Sequence, residues 1–91
     1  MTDYDRNLYM KLLEKEDYSF SDVLTMSAIR VNAKSEYIEL PGLSIGKLMV
    51  IAMKYGKIAK LLANTPEDYQ TAIENINPEF MDNNSTSGYY F

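Results

Sequence analysis

Acids, tyrosines and isolated glycines are the chemical repertoire of this 91-residue chain, which has no cysteine and no histidine. The acids gather at Glu14, Glu16 and Asp17 and again at Glu67 and Asp68. Carboxylate pairs do acid–base work when burial around a cleft splits their pKa values, and hold hard cations when oxygens converge. Both clusters fall at expected helix ends in polar surroundings, where capping and solvation account for them. No metal and no cofactor is expected. The lack of histidine removes imidazole metal sites, Ser-His triads and the usual general base. The lack of cysteine removes disulfides, thiolate zinc sites and a thiol nucleophile. Glycines 42, 46, 56 and 88 stand apart and build no phosphate-cradling loop. The residues point away from an enzyme.

Charge is laid out in blocks. Residues 1–39 hold eight acids and five bases, residues 40–66 four lysines and no acid, and residues 67–91 five acids and no base. A basic middle between acidic flanks fits contact inside the fold, and equally fits an acidic surface offered to a basic partner. Direct DNA binding is not expected. The helix after Asn64–Pro66 carries Glu67, Asp68 and Glu74 and no base, so it would repel the phosphates on which nucleic-acid affinity rests. Eight tyrosines exceed what a thin core needs. Their rigid rings and polar tips suit contact surfaces, with Tyr18 beside Asp17 and Tyr69 beside Asp68 the leading candidates.

Several elements must position these groups. Asp3 to Lys15 reads as a helix with Tyr4, Leu8, Tyr9 and Leu12 on one side, capped by Thr2 or Asp3 and ending near Glu14. Tyr18 and Phe20 alternate with serines, a period-two signal. Thr25–Val31 and Glu36–Leu40 then read as strands joined by Asn32-Ala33-Lys34-Ser35, a connection of hairpin length. A helix over Ser21–Asn32, capped by Ser21, is the rival reading. After Pro41-Gly42, Ser44 caps a helix over Ile45–Ala63. It is apolar over more than half its circumference, which leaves Met49 and Met53 for self-association. Thr65 and Pro66 open a last helix to Ile76, and Asn77-Pro78 ends it.

These elements predict an α+β domain: an N-terminal helix, a small three-stranded antiparallel sheet, then a long and a short helix packed on it. Residues 1–81 form that single domain and 82–91 a flexible tail closing on Tyr89-Tyr90-Phe91. The apolar share of 46% and charged share of 24% are ordinary for a globular domain. The longest apolar run, Leu48 to Met53, is far short of the ~20 residues of a membrane span. No basic, apolar leader follows Met1. A cytoplasmic location is expected.

The order of one helix, three strands and two helices resembles the small phage-encoded type II-A anti-CRISPR proteins of the Listeria prophage kind. Glu14-Lys15-Glu16-Asp17-Tyr18 is similar to the end of that family's first helix. Ile29-Arg30-Val31-Asn32 with Glu36-Tyr37-Ile38 is similar to its central hairpin. Ser44-Ile45 and Glu67-Asp68-Tyr69 are similar to the starts of its later helices. The resemblance implies an inhibitor in the host bacterial cell that occludes the nucleic-acid cleft of a defence nuclease, Cas9 with its guide RNA being the expected partner. Acids would stand in for phosphates, with Asp17, Glu36, Glu67, Asp68 and Tyr69 as contacts and Asn32 beside them. The alternative is a small phage structural or adaptor domain that self-associates through its long helix.

Overall fold

A computed structural model describes residues 1–76. Four α-helices run in order: α1 (Asp3–Leu13), α2 (Phe20–Ser35), α3 (Ile45–Tyr55) and α4 (Pro66–Ile76). A 3-10 segment (Gly56–Leu62) follows α3 directly. No strand occurs among the described residues, so the fold is helical and the expected α+β architecture is overturned. The hairpin matched to the anti-CRISPR family goes with it, because both of its strands belong to α2 and the turn that ends α2. The expected tail at 82–91 and the stop at Asn77-Pro78 lie outside the described residues.

Local chemistry explains why a helix wins over Phe20–Ser35. Ser19 Oγ accepts from the Asp22 N–H, and the Asp22 carboxylate accepts from the Ser19 N–H, both at 3.1 Å. This reciprocal cap satisfies two donors that a helix start otherwise orphans. Val23, Met26, Ile29 and Ala33 then fall on one buried side at helical spacing. The apparent alternation of Tyr18 and Phe20 has a different origin. Tyr18 is 4% exposed in the connection, Ser19 is the cap, and Phe20 is the first helical residue. Asn32 to Ser35, expected to be a hairpin connection, is the last turn of α2.

α2 ends in an unusual way. The Ile38 N–H donates to the Ala33 carbonyl at 2.9 Å and the Tyr37 N–H to the Lys34 carbonyl at 3.0 Å. That double closure needs a left-handed residue at Tyr37, which has φ 59°. Glycine normally takes this place because an L side chain strains there. Here a tyrosine does, with its ring 96% exposed.

α1 and α2 run antiparallel. The Lys15–Asp22 ion pair closes one end of this hairpin and the Met1 amino group with Glu36 closes the other. Ser44 caps α3 as the sequence indicates, accepting from the Lys47 N–H at 3.3 Å. The expected single helix to Ala63 breaks at Gly56, whose φ of 78° and ψ of −143° lie where only glycine is at ease. The chain then tightens to a repeat of three. Ala59 and Leu62 turn into the core, while Ile58 and Leu61 turn toward α2. Thr65 caps α4 through the Asp68 N–H at 3.1 Å. Tyr9, Val23, Met26, Leu43, Leu48, Ile51 and Leu62 form the centre of the core.

Candidate functional site

Of the seven residues expected to contact a partner, two face inward. The Tyr18 hydroxyl donates to the carbonyls of Leu12 and Leu13, at 2.6 and 3.1 Å, and so terminates α1. Tyr69 is buried against the core, with the Lys60 ammonium 5.8 Å from its ring centre. Burial holds both phenols above their ordinary pKa. Neither ring is a free contact.

Asp17, Glu36 and Glu67 are exposed and Asp68 is partly so. The Asp17 side chain is 82% exposed and receives Lys54 at 3.0 Å. The bond from Lys54 lowers the Asp17 pKa, and Asp17 in turn raises that of Lys54. Glu36 sits at the far end of the α1–α2 hairpin, bound to the Met1 amino group. The 16 residues of α2 lie between them, roughly 24 Å at 1.5 Å per residue. Glu67 and Asp68 open α4, beyond the whole 3-10 segment. Asp17 and Glu36 therefore stand near opposite ends of α2.

The basic middle of the chain is largely used internally. Lys54 pairs with Asp17, and Lys47 donates to the Leu13 carbonyl at 2.6 Å while lying 5.6 Å from the Tyr18 ring centre. Arg30 is more deeply engaged. Its guanidinium donates to the carbonyls of Leu61, Leu40 and Ala63 at 2.7 to 2.9 Å, and to the Tyr9 hydroxyl at 3.0 Å. The Leu61 and Ala63 carbonyls end the 3-10 segment, so the cation meets the negative end of a helix. α1, the α2–α3 connection and the end of the 3-10 segment thereby converge on one side chain, with no carboxylate among its partners.

Exposed apolar side chains point to a different surface. Leu24, Ser27, Ala28, Val31, Asn32 and Ser35 of α2 face Ile58 and Leu61 of the 3-10 segment across an open groove of about 530 Å³. The α2 residues recur at intervals of three and four, one stripe along the helix. Leu24, Val31 and Leu61 are each about half exposed. Ser27 at the groove is 5% exposed, and its hydroxyl has no hydrogen-bond partner. Buried hydroxyls are ordinarily satisfied; this one is unpaired but enclosed by protein, not presented at the surface. Of the expected contacts, Asn32 alone lines the groove. The stripe was readable in the sequence once Phe20–Ser35 is taken as a helix, since Leu24, Val31 and Asn32 then lie opposite Met26, Ile29 and Ala33.

Met49 packs on the core and Met53 is 66% exposed, so the expected Met face is divided between interior and surface. No described helix is long and apolar enough to cross a membrane. No family model, no curated protein and no solved structure matches this chain.

Proposed function

We propose that this chain is a binding protein that occupies a partner's surface in a fixed ratio, without turnover, through the groove between α2 and the 3-10 segment. The observation that carries this reading is the convergence of three half-exposed apolar side chains on one open strip. Completing the burial of Leu24, Val31 and Leu61 is worth about 1 kcal/mol each. Together that is about 3 kcal/mol spread over three side chains, a favourable contribution to a small interface. The test is amide chemical-shift mapping on the full chain, titrated with amphipathic helical peptides of differing flank charge. Shifts at Leu24–Ser35 and Ile58–Leu61 that saturate at one peptide per chain are expected, and Val31→Glu with Leu61→Glu should remove them. A panel in which no peptide shifts these amides overturns the reading.

A second reading is occlusion of a basic nucleic-acid-binding cleft by carboxylates. It is favoured by the exposure of Asp17 and Glu67, and it no longer draws on Tyr18 or Tyr69. Reversing Asp17 and Asp68 together to lysine would set like charges against such a cleft, at several kcal/mol. Under this reading the folded double variant loses at least about a hundredfold in affinity for a basic nucleic-acid enzyme that the wild-type chain binds. Unchanged binding removes it.

A further inference from the structure

We propose that the chain after α3 has two arrangements, and that the 3-10 form described above is the one that builds the groove. The other is a single α-helix from Ile45 to Ala63, and Arg30 is the latch that selects against it. That the change governs docking rests on the groove reading; the two arrangements themselves do not.

Leu48, Ala52, Tyr55, Ala59 and Leu62 stand at i, i+4, i+7, i+11 and i+14, which is one face of an unbroken α-helix. Ala59 and Leu62 are also the residues that the 3-10 segment buries. Both arrangements therefore offer the same apolar pair to the core. The 3-10 segment runs for seven residues, whereas runs beyond three or four are uncommon because their hydrogen bonds are poorly aligned. Bonds from outside hold it. Arg30 donates to the Leu61 and Ala63 carbonyls at 2.7 and 2.8 Å, and the Leu43 N–H donates to the Leu62 carbonyl at 2.8 Å. Seven residues rise roughly 14 Å as a 3-10 helix and about 10.5 Å as an α-helix, and Gly56 at φ 78° breaks the helical path. A continuous helix carries those carbonyls away from Arg30 and Leu43. The outside bonds and the unbroken helix exclude one another.

The groove depends on which form is present. Residues three apart eclipse in a 3-10 helix, so Ile58 and Leu61 make one row toward α2. In an α-helix they stand about 60° apart around the axis, and Leu61 leaves the row. A partner seated on both side chains thus holds the 3-10 form, because only that form presents them together.

The experiment compares backbone NMR of the full chain with that of two variants. Gly56→Ala disfavours the positive φ and favours helix. Arg30→Gln stays polar but loses the fork that joins three carbonyls. The wild type should show Hα–HN contacts from i to i+2 along Gly56–Leu62. Each variant should stay folded, lose those contacts and gain i to i+4 contacts across Gly56, with Cα shifts of residues 57–62 moving to α-helical values. If neither variant gains the i to i+4 contacts, whether it keeps the 3-10 pattern or unfolds, the two arrangements are overturned. A gain in Gly56→Ala alone overturns the latch role of Arg30. Amphipathic peptides that shift Ile58–Leu61 in the wild type should no longer do so in a straightened variant, and unchanged shifts there overturn the link to the groove. A wild type that binds no peptide defeats the docking reading, and the contacts across Gly56 still decide between one arrangement and two.

Discussion

Tyr37 carries a conformational cost that its own contacts do not offset. A left-handed L-residue costs roughly 1–2 kcal/mol relative to an ordinary one, and a ring 96% exposed recovers little through burial. Tyr37→Gly should raise stability by about 0.5–1 kcal/mol, the relieved strain less the entropy glycine adds to the unfolded chain. For a domain this small that is a melting point higher by about 2–8 °C. Tyr37→Ala keeps the backbone strain and should leave the melting point nearly unchanged. A glycine variant no more stable than wild type would show that the ring makes up the cost elsewhere. Arg30 shows the limit of residue-level reading. The family resemblance sets it with Ile29, Val31 and Asn32 in a central hairpin. Its guanidinium instead caps the 3-10 segment and binds the Leu40 carbonyl and the Tyr9 hydroxyl. Nothing in its sequence neighbourhood marks carbonyls that arrive from two distant segments and a hydroxyl from a third.

At the scale of elements, legibility followed punctuation. Thr65-Pro66 places the start of α4 to the residue, and Thr2 caps α1 by accepting from the Asp5 N–H at 3.1 Å. α2 was obscured because its exposed stripe of Leu24 and Val31 and its buried Ser27 blur the contrast between faces. Short apolar runs are ambiguous between the two periods. The decisive local signal was Ser19 followed by Asp22 three residues on. Ser19→Ala should therefore cost about 1 kcal/mol, read as a lower urea midpoint with an unchanged slope. Asp22 makes this start sensitive to acid. Its carboxyl is held below the usual range first by the Lys15 ammonium and then by the Ser19 N–H. The folded chain thus gives up this proton at lower pH than the unfolded chain. The stabilisation is complete above about pH 4, the unfolded value, and disappears as pH falls through the lower folded value. Asp22→Ala should be less stable than wild type at pH 7 and show a smaller further loss below pH 4. Parallel pH profiles for the two proteins would refute the assignment.

At the scale of the molecule, closure depends on backbones meeting at Gly42. Its N–H donates to Asn64 Oδ1 at 2.7 Å, the Leu43 N–H donates to the Leu62 carbonyl at 2.8 Å, and Arg30 clamps the same turn. A Cβ on Gly42 would come within 2.5 Å of the Asn64 nitrogen and 2.7 Å of the Leu62 oxygen. Backbone cannot yield there as a flexible side chain would. Gly42→Ala should cost at least about 2 kcal/mol. Gly46→Ala meets nothing within 4 Å and should stabilise α3 by about 0.5–1 kcal/mol. Equal melting points for the two variants would show that the turn is not closed this way. By itself the sequence determined what rests on near neighbours: the extents of α1 and α4, the Ser44 start of α3 and most of the periodic core of each, with Tyr4 of α1 left 74% exposed. Caps and helical spacing act within a few residues, so they are written in order along the chain. The tertiary structure alone decided the rest. It turned Tyr18 and Tyr69 inward, broke the long helix at Gly56, parted Asp17 from Glu36 and set Leu61 beside Val31 to make a groove. Each of these depends on which distant segments share a surface, and no local signal of charge or period specifies that.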